Sequence, residues 1–557
     1  MTANATSNPD RPTAAGFEPA PECRLGARGD VVIIGAGLAG LFTALKLAPM
    51  HVTVISAAPL GEGAASAWAQ GGVAAAVGAD DSPELHAEDT IAVGAGLVDP
   101  EVARSVAAEG PDRIQDLVDY GVPFDRDANG NFLLNQEAAH SRRRVVRVSG
   151  DGTGAAIMKA LIAKVKATPS IRVLHGYEAD ELITSEGRVE GVRLVRPDPS
   201  GHESYEFFPA CAVILATGGL GKLYALTTNP AFARGESLAM AAKVGAVIAD
   251  AEFVQFHPTA MNVGSDPAPL ATEALRGEGA TLVNAAGKRF MLDIDPRAEL
   301  SPRDIVARGV FAEIAAGRGA FLDCRQAIGE RFATSFPTVY AHCRNAGIDP
   351  TTQLIPVAPA AHYHMGGIAT DARGRTSVPG LWVVGEAAST GLHGGNRLAS
   401  NSLIEAIVFG ARVARDIQSL DGNARRAPTV DLRRCNGLPR SVAPHRDAAI
   451  MRLRKTMAAH VGVERDAEGL GKALVALRDI EQAANGDAVL SNMAIASRFI
   501  AASALKRTES RGAHARSDFP NADPVLAYRS FLTLADIDAL TPERPESQIA
   551  QKRCATG

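Results

Sequence analysis

Residues 30–48, DVVIIGAGLAGLFTALKLA, constrain the fold more tightly than any other stretch of the chain. Residues 31–34 are an unbroken apolar run, as in a strand buried on both faces of a parallel sheet. Gly35, Gly37 and Gly40 follow in G-x-G-x-x-G spacing, and helical periodicity begins after Gly37. HVTVIS (51–56) reads as a second strand, which completes a β-α-β unit. In such a unit the first glycine permits the tight turn. The second lets a pyrophosphate approach the backbone, and the third lets the helix pack on the strand. The helix N-terminus offers free amides and the positive end of its dipole to the phosphates. Gly35, Ala36, Gly37, Leu38, Ala39 and Gly40 are therefore read as the phosphate cradle of a dinucleotide.

An acidic residue usually ends the second strand and holds the ribose hydroxyls. Here Ser56-Ala57 stand in its place. Ser56 can take that role more weakly, the loop carrying Glu62 can fold back, or Ser56 is only a strand end. Two later buried strands, ACAVILATGG (210–219) and GLWVVGEA (380–387), also run into glycines. Taken alone, ATGG is equally a strand-end turn. In this order the three fingerprints resemble FAD-binding proteins of the glutathione-reductase type, so Ala216, Thr217, Gly218 and Glu386 are read as FAD contacts. AASAWAQGGVAAA (64–76) is small and glycine-rich, fit for close approach to a flat ring, and supplies Ala65, Ser66, Ala67, Trp68, Ala69, Gln70, Gly71 and Gly72. ASNSLIEA (399–406) carries Ser402-x-x-Glu405 in capping-box spacing. It starts a helix whose positive end, at Ser402 and Leu403, faces the flavin pyrimidine edge, or it is an ordinary capped helix.

With 557 residues the chain exceeds one hydrophobic core. The expected fold class is α/β. A Rossmann-like FAD-binding domain spans 29–250 and 356–425, and an α+β capping domain is inserted at 251–355. A C-terminal helical bundle covers 426–557, and residues 1–28 form a disordered tail. The net charge of −5 argues against a broad nucleic-acid footprint. The six cysteines are scattered singly with no C-x-x-C pair, so no metal site is expected and a reducing cytoplasm is. No run approaches the roughly 18 apolar residues of a membrane span, so no membrane is expected either.

AWAQGG, EFVQFHPTA, TEALRGEGA, SPRDIVAR, AAHYHMGGI, GLHGGNRLASNSLIEA and RGAHARSDFP stand in this order along the chain. Together they resemble the succinate dehydrogenase/fumarate reductase flavoprotein family. Within it, EAAHSRRR (137–144) resembles the branch that oxidises L-aspartate to iminoaspartate at the start of NAD biosynthesis. The resemblance implies hydride loss from the α-carbon to FAD and reoxidation by oxygen or fumarate. It implies noncovalent FAD, because Ala65 stands where respiratory members carry a flavin-linked histidine. It also implies that Arg303 is the acid/base residue. Glu236 occupies the place of a family aspartate, and its longer side chain is expected to reach the cofactor.

A substrate with two carboxylates calls for fixed cations, arginine forks above all. Arg303 and Arg397 are the candidates, with His257 and His362 as supporting donors and Thr272 as a neutral one. Gln255 can bond a carboxylate or the flavin, and Glu273 can orient Arg303 or Arg276. Ser301 reads as the N-cap and Pro302 as the first residue of a helix that holds Arg303 in its first turn. A purely cationic pocket would repel an ammonium group. Glu137 is the candidate that faces it, with His140 and the arginine run fixing the loop or the FAD, and Arg142, Arg143 and Arg144 partly solvated. A surface salt-bridge cluster is the alternative for the same run. The nearest competing function is a soluble fumarate reductase or succinate-oxidising flavoprotein. A noncatalytic FAD protein acting on RNA through the basic stretch 433–455 is a further one, although such a run is equally a solvated helix face. The C-terminal bundle can cover the flavin domain, self-associate, or meet an enzyme that consumes iminoaspartate, such as quinolinate synthase.

Overall fold

The computed structural model describes residues 17–20, 30–197, 203–420, 433–434 and 445–542. The expected tail over 1–28 therefore lies outside the described residues except at 17–20, where Ala20 donates its amide to Thr376 O at 2.9 Å.

The strand Asp30–Ile34 is the centre of a parallel sheet. It pairs with Val52–Ser56 on one side and with the end of Glu203–Leu215 on the other. Ile171–His175 extends the sheet beyond Val52–Ser56, and Leu381–Val383 extends it beyond Glu203–Leu215. All five residues of Val52–Ser56 are buried, as the apolar run requires. The first half of Glu203–Leu215 leaves this layer and pairs antiparallel with Arg188–Pro197, which in turn pairs with Glu178–Ser185.

Two glycines of the first turn are required by space. Gly35 has φ +113°, and a Cβ there would lie 2.2 Å from Ala216 O. A Cβ on Gly40 would lie 2.0 Å from Gly35 O. Strand, turn and the helix Leu38–Leu47 are thus locked at contact distance. That helix packs against Asn401–Leu420, where Gly410 leaves room for Thr43.

A four-stranded sheet has the order Val254–Met261, Ile355–His364, Phe321–Asp323, Thr281–Val283, and its second strand runs on past residue 355, the expected end of the inserted segment. Its own core includes Met261, Leu275, Leu282, Val306, Val310 and Phe332. The helix Arg303–Ala315 packs on both long strands. Its start differs from the sequence reading. The N-cap is Pro302 without a side-chain cap, and Arg303 itself opens the helix. Proline has no N–H to satisfy there, and Ser301 remains in extended backbone.

The helices Arg446–His460, Ala467–Ala483 and Ala488–Lys506 form the bundle, and their core is continuous with that of the flavin sheet. Asp466 and Asp487 cap the second and third by accepting from Gly469 N and Leu490 N. Contrary to the sequence reading, one run does reach membrane-span proportions. Ala488–Lys506 is 19 residues long with mean hydropathy 1.4, but 89% of that window is buried inside the molecule. Of the basic stretch 433–455, residues 435–444 lie outside the described residues. In the rest, Arg452 and Lys455 are exposed, while Arg454 turns inward to Tyr224 O and Asp266. After the bundle the chain becomes a largely non-helical strap that ties the other layers together. Arg507 Nε bonds Glu252 at 2.6 Å, Arg511 Nη1 bonds Ala95 O at 2.8 Å, and Arg529 Nε bonds Asp250 at 2.6 Å.

Candidate active site

One cavity of about 690 Å³ joins the glycine turn to the inserted sheet. Every residue read as a cofactor contact lines it except Gly40, which lies beneath the turn. The cavity suits FAD by its chemistry. Helix Leu38–Leu47 starts at Gly37 with no side-chain cap, so its N-terminus faces the cavity bare of competing carboxylates. Gly37 has only Ser66 Oγ near its would-be Cβ, at 3.4 Å, and Gly218 has nothing within 4 Å. Gln70 donates Nε2 to Leu270 O, while its buried Oε1 has no protein partner and is free for a flavin N–H. Ser56 and Glu62 both line the cavity, and Ser56 Oγ donates to Ala58 O at 2.6 Å. Glu236 lies on the wall and pairs with Arg234 at 2.6 Å. Glu386 accepts His364 N at 3.0 Å, and burial pushes its carboxyl up to about 7. Such a group tolerates a nearby pyrophosphate better than a fixed anion does.

The far end of the cavity gathers Arg303, Arg397, His257, His362, Thr272 and Glu273. Arg303 Nε bonds Glu273 Oε2 at 2.5 Å and its Nη1 bonds Gln255 Oε1 at 3.0 Å. Arg397 Nη2 bonds the same oxygen at 3.1 Å. Gln255 does not line the cavity. Its Nε2 is taken by Asn396 Oδ1 and Arg397 O. The expected contact to a carboxylate or the flavin is thus replaced by a bracket behind both guanidiniums. Glu273 faces both arginines considered for it, with Arg276 Nη2 at 3.4 Å. Burial pulls its carboxyl up, but Arg303 and Arg276 outweigh that and hold it below the usual range. Burial and the neighbouring Arg303 push Arg397 down to about 10. A buried ligand of opposite charge would relieve that repulsion.

Burial and the arginines also hold His257 and His362 well below the usual imidazole range, so both are neutral. His257 Nδ1 accepts Thr259 N at 3.3 Å, which places its proton on Nε2. That nitrogen is buried without a protein partner, as is Arg397 Nε. Two unpartnered buried donors mark where acceptor oxygens belong.

Glu137 enters the same cavity from the 135–144 turn. Its Oε2 accepts Ser400 Oγ at 2.8 Å. Burial and Glu273 raise its pKa in spite of Arg303 and Arg397. The arginine run behind it divides. Arg142 and Arg143 are exposed, but Arg144 is fully buried. The expectation of solvation is corrected there, because Asp81 and Asp89 neutralise it.

The FAD binding domain family matches residues 30–403, and the fumarate reductase flavoprotein C-terminal family matches residues 488–535. The L-aspartate oxidase of Caulobacter vibrioides is 54% identical over 90% of this chain and 96% of its own. That of Agrobacterium fabrum is 47% identical over 93% and 96%. The chain belongs to the L-aspartate oxidase family. FAD is the cofactor that goes with this family. Among solved structures, E. coli quinol fumarate reductase FrdA in a variant form superposes with a TM-score of 0.81 at 27% identity, covering 91% of this chain and 94% of that one. Mycobacterium smegmatis Sdh1 gives 0.76 at 31% identity, covering 90% and 94%.

Several residues of the site are not marked in the sequence. Tyr363 lies under Arg397, ring centroid to guanidinium 4.4 Å, and holds Glu405 through its hydroxyl. Ser400 sits at φ +60°, a left-handed backbone that turns its hydroxyl onto Glu137. The Ser402–Glu405 capping box does not form. The helix opens at Asn401, Glu405 is captured by Tyr363, Thr390 and His393, and Ser402 Oγ accepts Arg397 Nη1 at 3.4 Å. A tyrosine between the two histidines of AAHYHMGGI was the available signal for Tyr363. No local pattern announces Ser400.

Proposed function

We propose that the protein catalyses FAD-dependent oxidation of L-aspartate to iminoaspartate, with reoxidation by oxygen to give hydrogen peroxide or by fumarate to give succinate. This would be the first step of NAD biosynthesis. One observation supports it above the rest: Glu137, a carboxylate held by Ser400 where Glu273 is held by arginines, lines the same cavity as Arg303 and Arg397.

Counting charges makes the point. Arg303, Arg397 and Arg276 against Glu273 and Glu137 leave one positive charge, which matches the single net negative charge of aspartate. Without Glu137 the balance would suit a plain dicarboxylate. In this reading Arg397, Arg303, His257, His362 and Thr272 grip the two carboxylates. Glu273 and Gln255 hold the guanidiniums in plane, and Glu137 accepts the ammonium. These contacts set the α-carbon at a fixed height, so much of the rate gain is positional. FAD, held by the glycine turn 35–39 and the 65–72 stretch, would supply the two-electron oxidation as the acceptor of the α-carbon hydride. The amine proton leaves toward Glu137, and Arg303 gives the proton that fumarate needs on reduction. Tyr363 keeps Arg397 from swinging. The enclosed, neutral histidines donate without adding charge.

The deciding experiment is anaerobic. Oxidised holoenzyme is mixed with L-aspartate or with succinate, and flavin absorbance is followed. Bleaching by aspartate is expected. Bleaching by succinate alone would favour the fumarate reductase reading, toward which the FrdA superposition leans.

Two further outcomes follow from the site. With Ala65 in the histidine's place, precipitating the holoenzyme with acid is expected to release all the flavin into the supernatant; yellow protein in the pellet would refute noncovalent binding. The second concerns pH. The Glu137 pKa is raised, so protonation persists above the ordinary carboxylate value of about 4.3. As pH falls through that raised value the ammonium loses its partner. Hence kcat/KM for aspartate is expected to fall on the acid side while kcat/KM for fumarate does not, in paired pH profiles. The enzyme is expected to act in the cytoplasm. Its imine product hydrolyses readily, which favours a nearby consumer of the quinolinate synthase kind.

A further inference from the structure

The turn that carries Glu137 is held by a buried ionic clamp outside the cavity. Arg144 is fully buried although the two arginines before it are exposed. Its Nε and Nη2 form a fork on Asp81, both at 2.9 Å, and its Nη1 reaches Asp89 Oδ2 at 2.5 Å. That same Asp89 oxygen accepts Ser141 N at 2.8 Å and Ser141 Oγ at 2.9 Å. One guanidinium and one carboxylate therefore pin two points of the turn to the helix Pro83–Val93 and the loop before it. The turn is closed at its base by Arg144 N to Asn135 O at 3.1 Å and braced inside by Gln136 Nε2 to His140 O at 2.6 Å. His140 Nε2 meets Ala399 O at 3.0 Å, beside the Ser400 whose hydroxyl bonds Glu137.

Arg144, Asp81, Asp89, Ser141 and His140 are all absent from the cavity wall. They can influence a ligand only through the residues they hold. One carboxylate would neutralise Arg144. The second adds geometry, since Asp81 sets the guanidinium plane and Asp89 carries that plane to Ser141.

We propose that Arg144, together with Asp81 and Asp89, is a positioning device for amine specificity: it sets the reach of Glu137 into the cavity without touching substrate or cofactor. The inference rests on the reading of Glu137 given above. A carboxylate displaced by about 1 Å loses up to about a hundredfold in a positional reaction, whereas the guanidiniums of Arg303 and Arg397 are held by Glu273 and Gln255, apart from the clamp.

The test uses flavin-loaded full-length protein in the forms Asp89→Asn and Arg144→Lys. The readout is the ratio of kcat/KM for L-aspartate oxidation to kcat/KM for fumarate reduction with a reduced dye. Both variants are expected to lower the ratio about tenfold, mainly through KM for aspartate, with flavin content and fumarate reduction unchanged. An unchanged ratio, or parallel loss of both activities, overturns the proposal. If Arg144→Lys loses flavin, Asp89→Asn decides, because the Asp81 fork remains. Glu137→Gln is run alongside. If it moves the ratio and the clamp variants do not, the clamp alone is wrong. If it does not move the ratio, the Glu137 reading fails and the clamp with it.

Discussion

Replacing Glu137 by glutamine is expected to cut kcat/KM for L-aspartate by about a hundredfold or more while fumarate reduction stays within about twofold, because an unpartnered ammonium costs about 2–5 kcal/mol and fumarate has none. Glutamine keeps the volume and can still accept from Ser400 Oγ, so the turn should hold its shape. A second readout separates charge from structure. The folded-state pKa of Glu137 is raised by burial and by Glu273, so its ionised form is disfavoured in the ligand-free fold. A carboxyl with a raised folded pKa loses stabilisation as pH rises through that value. The glutamine variant should therefore melt at or above the wild-type temperature at neutral pH, and its advantage should vanish in acid. Equal loss of both activities, or a large drop in melting temperature, would contradict the assignment.

For Arg303→Leu we expect normal flavin content with aspartate oxidation and fumarate reduction both down by at least about a thousandfold, the scale of losing a preorganised charge donor. Arg303 meets Glu273 and Gln255 on the protein side and turns the rest of its guanidinium to the cavity. Its removal takes away a carboxylate fork and the proposed proton donor at once. It also leaves Glu273 less well paired. Breaking one side of a buried ion pair costs about 3–5 kcal/mol, though Arg276 at 3.4 Å offsets part of that. The double variant Arg303→Leu with Glu273→Gln should be no more stable than Arg303→Leu, because it strips buried Arg276 of its carboxylate partner. Arg303→Lys should keep part of the binding and little of the rate, since an ammonium cannot reproduce the fork. Wild-type turnover in a flavin-loaded Arg303→Leu protein would remove Arg303 from the chemistry.

Much of the cofactor end was legible because its constraints are local. Gly35 and Gly40 are demanded by contacts within the β-α-β unit, and spacing alone carries that information. The residues gathered at the far end of the cavity were legible by type and motif, but their wiring was not. Gln255 and Arg397 are 142 residues apart in sequence, and nothing near Gln255 says that both its polar ends are already used. Ser402-x-x-Glu405 obeyed a local rule that distant partners overrode, since Tyr363, Thr390 and His393 all compete for the same carboxylate. Arg144 followed the same logic: in a run of three arginines, only tertiary placement beside Asp81 and Asp89 distinguishes the buried one. The apolar helix Ala488–Lys506 was underestimated because its few polar residues are buried with partners, Asn492 on Asp180 O of the strand Glu178–Ser185 and Arg498 on Glu481 of the bundle.

Because Gln255 Oε1 is shared by Arg303 and Arg397, neither guanidinium can be re-aimed without disturbing the other. Laboratory evolution toward dicarboxylates with another group at the α-carbon should therefore leave positions 255, 273, 303 and 397 alone. Diversity is better placed at 137 and 400, whose chemistry can be exchanged while both guanidiniums keep their hold on the acid groups.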